Sequence, residues 1–411
     1  MRLLVVSIFS LFHLANGQEI FNSFGLDGDA KYLGETIYQF ETDKDALLVL
    51  NAHNIKGDIE IFGEPGNAVQ IVERIEISSR KIRWAEKEYE LSRSEVLYDE
   101  VNGMIKIVGS GRWSSKVEYE YDIHIPKHTS VQLINQGGDI SCQNIAGEID
   151  IQTAGGDIEL QQIAGKINAI TSGGDVELSH AHGNIKLLSS GGNIETNNTE
   201  GVIYLETSGG DLDIQFNRGN VEVYTSGGKI RLNGIEGQTI IGKTQGGDIE
   251  IDEITANVDM QTDGGDFEIS HIVGNVRVAT SAGDIDIEHI IGNVNMETMV
   301  GSIQGDHLGG QIKAVTNVGD IIIHKSTHDQ EIQDIELINN FGDVYLILPE
   351  HFSAKFDIRI DGNDESEVLE TEYPLNIKRD GMILRATGIH GTGQHNVSIS
   401  SHFGDVTITK D

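Results

Sequence analysis

Residues 153–196 read TAGGDIELQQIAGKINAITSGGDVELSHAHGNIKLLSSGGNIET, nearly one phrase written three times. The second glycine of each pair recurs at Gly138, Gly156, Gly174, Gly192, Gly210 and Gly228, always at the same interval. Gly247 comes one position late, and Gly265, Gly283, Gly301 and Gly319 resume the step. A weaker series lies halfway between, from Gly147 to Gly310, with Ala256 as its one exception. A fixed period in this range marks a stacked repeat architecture. Between the glycines, apolar and polar residues alternate, as in Asp157-Ile158-Glu159-Leu160. Period two over four to six residues means a strand with one buried face, and glycine supplies the positive φ that tight corners need. Each unit therefore reads strand, corner, strand, corner.

Equivalent positions line up in columns. Ile140, Ile158, Val176, Ile194, Leu212, Ile230, Ile249, Phe267, Ile285, Ile303 and Ile321 form one, and Ile149, Ile167, Ile185, Ile203 and Val221 begin another. A third inward column is hydroxylic, from Thr153 and Thr171 to Thr298 and Thr316. The fold class is all-β: a parallel β-solenoid of 18-residue, two-strand coils, expected right-handed by the crossover rule. At ~4.8 Å per coil its regular part would run on the order of 50 Å.

Four segments follow. Residues 1–17 have Arg2, then an apolar run, then Ala15 and Gly17, the layout of a secretory signal peptide. Residues 18–130 form a β-rich segment with an opening coil around Gly57-Asp58 and a short helix within 80–96, anchored by Trp84 and Tyr89. The regular solenoid spans 131–325. Residues 326–411 hold C-terminal coils and a cap, the last repeating the Gly404-Asp405 signature. The single cysteine, Cys142, falls in an inward column as a small hydrophobe. The expected location is outside the cytoplasm: extracellular, cell surface or periplasmic.

At a formal charge of −36 the chain is a poor ligand for nucleic acid or for an anionic membrane surface. No catalytic motif of the Gly-x-Ser-x-Gly, His-Glu-x-x-His or phosphate-loop type occurs. The coils also lack the insertions that would wall a cleft. We therefore expect no enzymatic activity; a carbohydrate-active enzyme is the weakest alternative.

Three surface features bear on binding. The outward positions of the first strand are acidic, and Asp248, Glu250, Asp266, Glu268, Asp284 and Asp286 form a grid at strand spacing. Like charges directly opposite one another are destabilising, so this grid is a candidate Ca²⁺ site. The Gly-Gly-x-Gly-x-Asp corners of the calcium-binding β-roll are absent. His180, His271, His289 and His307 share one corner position, with Glu288 and Asp306 beside the last two. Such a column could share a transition metal, although a polar corner residue explains it more simply. On the other face Asn184, Asn220, Asn257, Asn275 and Asn293 form an amide column expected to bond from coil to coil. Ile170, Leu188, Tyr204, Tyr224 and Ile240 lie beside it as outward apolar residues. The first four make a candidate patch for a glycan or protein partner; self-association is expected at an open sheet end. The threonine row recurs as in ice-binding solenoids, but it points inward.

Three segments taken together carry a family resemblance: YDIHIPKHTSVQLINQGGDISCQNIAGEIDIQTAGGDI (121–158), GDVYLILPEHFSAKFDIRI (342–360) and GTGQHNVSISSHFGDVTITK (391–410). They resemble the bacterial secreted or envelope β-solenoid proteins grouped as the "putative adhesin" family. The resemblance covers nearly all of the chain beyond residue 17. It implies a β-helical, envelope-associated, non-enzymatic protein. The coils here are more regular than is usual for that group.

Overall fold

The computed structural model describes residues 13–14, 17–24, 31–42, 47–79, 81–326, 333–362 and 368–411. Most of the expected signal segment, 1–17, lies outside the described residues. The described chain is all-β apart from one helix. It divides into two compact units, residues 1–202 and 203–411.

In the first unit, Gly17–Phe24, Lys31–Glu41, Ala68–Ser78 and Val117–Pro126 pair antiparallel in that order. Val117–Pro126 then pairs parallel with Asp58–Glu64, which pairs parallel with Ile140–Ile145. Val49–Ile55 pairs with Ser130–Asn135 in the same sense. The segment around Gly57-Asp58 is thus a coil but not the opening one, because Met104–Val108 and Val117–Pro126 stack in parallel on its other side. Its strands lie against the first regular ones, and Gly57 takes φ +119° at the corner. From there the register is regular. Ile140 faces Ile158 and Ile158 faces Val176, as Ile149 faces Ile167 and Ile167 faces Ile185. Every partner is the equivalent residue of the next repeat, so the sequence columns are physical columns.

The helix is Ile82–Ser92, inside the expected window. Ala85, Tyr89 and Ser92 form its buried face at positions i, i+4 and i+7. Tyr89 is the anchor, and its ring occupies the space that a side chain at Gly34 would need. Trp84, expected as a second anchor, is instead 40% exposed, off this face.

The second unit carries the same two ladders. One runs through Leu212, Ile230, Ile249, Phe267, Ile285, Ile303, Ile321, Val344 and Val406, all essentially buried. Burying each such side chain stabilises the fold by about 1.5–3 kcal/mol, and no coil could do so alone. The one coil that is a residue longer absorbs the excess at a single point. Glu236 faces Thr255 whereas Thr239 faces Asn257, so the offset between the paired strands shortens by one between those two positions. The extra residue flips the parity beyond it, so Ile240 is fully buried and Ile241 is exposed, contrary to the outward position expected for Ile240. The closing strands His395–His402 and Val406–Lys410 form one more coil on Ile335–Phe341 and Val344–Leu348. Ala354–Asp361, Ile383–Ile389 and Asn376–Asp380 then extend the sheet from His395–His402. The Asn376–Asp380 edge is exposed throughout and carries Lys378, Arg379 and Asp380. Charge of this kind blunts an open sheet edge.

Candidate functional site

The repeated residues have local duties. In each Gly-Asp signature the aspartate Oδ1 accepts the backbone N–H of the residue one coil on. Asp157 N–H donates to Asp139 at 2.9 Å, Asp175 to Asp157 at 2.8 Å, Asp266 to Asp248 at 3.1 Å, Asp284 to Asp266 at 2.8 Å, and Ser302 to Asp284 at 2.7 Å. The asparagine column does the same at the other corner: Asn275 N–H donates to Asn257 Oδ1, Asn293 to Asn275 and Gln311 to Asn293, at 3.0, 3.0 and 2.9 Å. The expected coil-to-coil bonding is real, but its donor is the backbone. Where the extra residue sits, Asn220 Oδ1 takes both Gln238 and Thr239 N–H. The buried hydroxyls bridge as well. Thr262 Oγ1 donates to Gly247 O at 3.0 Å and accepts from Gly265 N–H at 3.1 Å.

The six carboxylates of the acidic grid separate into two sets. Asp248, Asp266 and Asp284 hold the backbone as above. Glu250, Glu268 and Asp286 stand opposite one another on successive strands. Glu250 is bound by Lys229 at 2.7 Å and Arg231 at 2.9 Å. The bond from Lys229 leads in holding its carboxyl below the usual range, against partial burial, with Arg231 adding to it. Asp286 is shifted the other way, first by partial burial and then by repulsion from Glu288, Glu268 and Asp306.

The histidine position is a left-handed corner. His180, His271, His289 and His307 have φ of 54°, 53°, 55° and 53°, and Asn144, Gln162, Asn198 and Phe216 fall between 53° and 60° at the same place. Asn and His tolerate this region better than most residues. His271, His289 and His307 stack with centroids 5.1 and 4.8 Å apart, and His307 meets His324 at 4.9 Å. His324 was not legible as part of the column, because it stands one position closer to its glycine than the other histidines do. Its neighbour Lys325 occupies an inward position held in the four preceding coils by Ile254, Ile272, Ile290 and Leu308. It is fully buried, and its ammonium donates to Leu308 O and Gly310 O at 3.0 and 2.9 Å. Cys142 is buried as expected, and burial pushes its thiol up to about 12.

The apolar patch divides between the units. Ile170 faces Leu188 in the first, both half-buried. In the second, Tyr204 and Tyr224 pack with centroids 5.8 Å apart. Tyr204 donates to Glu206 at 2.7 Å and Tyr224 to Glu222 at 2.6 Å. Those accepting carboxylates push both phenols up to about 12, with burial adding to the effect. Tyr204 also begins an outward column that continues strand by strand through Glu222, Ile241, Asp259, Arg277, Asn295, Lys313, Glu336 and Ser398. From Ile241 onward this column and the asparagine column line an open groove of about 880 Å³. Within it Arg277 reaches Asp259 at 3.5 Å and Lys313 reaches Glu336 at 3.3 Å. Asn295 donates to Glu297, while its buried Oδ1 has no hydrogen-bond partner.

Fold and site together define a repeat protein whose signature residues stitch one coil to the next and whose outward side chains make flat polar faces. The chain belongs to the Toastrack DUF4097 family, whose model matches residues 98–234, 197–304 and 238–409. No curated protein matches the sequence. Among solved structures, it is similar to a "putative cell adhesion protein" from Clostridium sporogenes ATCC 15579 at 10% identity. That match covers 92% of this chain and 99% of the other, with a TM-score of 0.18. It is also similar to a "putative adhesin" from Bacteroides fragilis NCTC 9343 at 14% identity, over 68% of this chain and 97% of the other, with a TM-score of 0.23. No helix among the described residues is long and apolar enough to cross a membrane.

Proposed function

We propose that this chain is an exported, non-enzymatic binding protein of the adhesin type, wound as a right-handed solenoid. It meets a glycan or protein partner at the cell envelope through the second strand face of residues 203–411. The observation that carries this reading is the continuous outward column from Tyr204 to Ser398 with its amide-lined groove. Asn257, Asn275 and Asn293 spend Oδ1 on the backbone, which leaves the Nδ2 end of each exposed amide as a donor. The tyrosine pair adds an apolar surface with polar tips, which suits a sugar ring. Export rests on the basic-then-apolar composition of residues 1–17. The open groove gives no enclosure in which two carboxyls could be driven to different pKa values, which favours binding over turnover.

Glycan-array binding of the wild type and of Tyr204→Ala/Tyr224→Ala tests this. The expected result is retention of selected glycans by the wild type and a drop of about tenfold or more in the variant, since base-like stacking on one aromatic ring contributes roughly 1–3 kcal/mol. Equal binding by the two proteins would remove the tyrosine pair from the site. Calcium binding at the acidic grid is a second reading, favoured by the raised carboxyl of Asp286. Glu268 and Asp286 would carry it.

A further inference from the structure

We propose that Asp306, His307 and His324 bind one divalent transition-metal ion of the zinc class, a site independent of the partner-binding face. The placement follows from a break in register. In the preceding coils the corner residue has a counterpart on the next strand: Ser270 faces Glu288 and Ile272 faces Ile290, with His271 and His289 between them. The next pair keeps this register, Glu288 facing Asp306 and Ile290 facing Leu308, but on the pair after it Gly305 faces Ile323 and Leu308 faces Lys325. Two residues, Asp306 and His307, therefore stand against one, His324. Bulges of this kind re-aim side chains and are enriched at functional sites. Here the missing residue turns His324 onto Asp306.

The resulting cluster is short of positive charge. His324 Nδ1 lies 2.8 Å from Asp306 Oδ1, and His307 Nδ1 lies 2.9 Å from Asp306 Oδ2. The other nitrogen of His324, Nε2, lies 3.3 Å from the Asp411 carboxylate. A neutral imidazole carries a single N–H. With carboxylate oxygens at both nitrogens, a neutral His324 must aim a lone pair at one of them. A metal ion between nitrogen and carboxylate relieves this contact. Glu288 and Asp286 add negative charge nearby.

Geometry and donor type favour the metal. One nitrogen from each histidine and one carboxylate oxygen all lie within 4.8 Å of one another, the one such cluster among the described residues. Ligand atoms of a tetrahedral zinc site stand about 3.4 Å apart, at bond lengths near 2.0–2.2 Å, so a small inward adjustment closes the set. Two imidazoles with a carboxylate select zinc, nickel or copper over calcium or magnesium. Asp411, bonded to the far nitrogen of His324, would fix that ring's tautomer with Nδ1 toward the ion, as carboxylates behind metal-binding histidines do. His307 is half-exposed, which leaves a path for entry and room for a water as the fourth ligand.

The experiment is isothermal titration of the chelator-treated full chain with zinc chloride, with thermal unfolding of every variant as a check on folding. One equivalent of zinc is expected to bind, undisplaced by millimolar calcium. Asp306→Asn and His324→Ala should each weaken binding about tenfold or more, and Asp306→Asn keeps the shape and a hydrogen-bonding oxygen. His271→Ala/His289→Ala removes two stacked imidazoles but no proposed ligand and should bind like the wild type. Failure of the wild type to take up zinc would overturn the proposal. So would an equal loss in the His271/His289 variant, which would mean diffuse capture by the histidine column.

Discussion

The antiparallel sheet of Lys31–Pro126 and the coils of residues 203–325 satisfy buried polar groups in opposite ways. In the coils each polar side chain answers the backbone of the neighbouring coil: Thr280 Oγ1 donates to Gly265 O and Asp266 accepts from Asp284 N–H, each contact reaching one coil away. One solution is copied at every turn. In the sheet each solution is used once. Tyr89 bonds Thr36 across 53 positions, Tyr38 donates to Ser94 O across 56, and Ser94 Oγ meets Tyr121. At the centre, Glu73 Oε1 accepts Ser94 N–H while its Oε2 is buried without a hydrogen bond. A copied solution leaves a mark in composition, whereas a unique one does not.

The largest expected effect comes from a glycine in the coils. A Cβ at Gly265 would overlap the backbone carbonyl of Gly247, which cannot swing aside, whereas one at Gly34 would overlap the ring of Tyr89, which can. Gly265→Ala should cost roughly 3 kcal/mol or more in urea unfolding, and Gly34→Ala less, with loss of helix docking. A cost below about 1 kcal/mol at Gly265 would break the view that neighbouring coils approach this closely.

Next in size is Glu73, whose carboxyl burial pushes up to about 7 from 4.5, with bonds from Ser94 and Tyr121 opposing the shift. The folded state therefore keeps this proton while the unfolded chain releases it. The contribution of this group to stability is full below pH 4.5, falls as pH rises through 7, and is lost above. Glu73→Gln removes the dependence. The variant should exceed the wild type by about 3 kcal/mol at pH 8, with the gap closing toward pH 5. A pH-independent difference would show that Glu73 is ionised in the fold.

The smallest effect sharpens the account of the signature itself. Asp266→Asn keeps the oxygen that accepts Asp284 N–H and removes a charge, as the asparagine column already does at the opposite corner. Its stability should lie within about 0.5 kcal/mol of wild type, while Asp266→Ala loses about 1 kcal/mol. If the asparagine variant were as weak as the alanine one, the aspartate would be doing more than capping the backbone.

Legibility follows the same division. The columns, the coil at Gly57-Asp58, the helix near Tyr89 and the closing coil at Gly404-Asp405 could all be read from the sequence, because period and alternation are local; that Met104–Val108 and Val117–Pro126 stack beyond the Gly57-Asp58 coil could not. The acidic grid was legible as charge, but not as three backbone caps beside three outward carboxylates. Ile240 was misplaced because a single inserted residue inverts parity and nothing in composition locates the inversion. His324 escaped because its importance comes from a residue missing opposite it. Glu73 reads as an ordinary strand glutamate until Tyr38, Tyr89 and Tyr121 are seen around it.

What the sequence determined by itself is the repeat: a glycine wherever backbones touch, an apolar residue at every second position, a capping oxygen at each corner. These requirements act between a residue and its own copy one repeat away, so they are written as a period. What the tertiary structure alone decided is every place where the period fails or is absent: the bulge after Glu236, the register break that joins Asp306 to His324, and the buried carboxyl of Glu73. There the partners are distant in the chain and unlike one another, and only the folded backbone brings them within bonding distance.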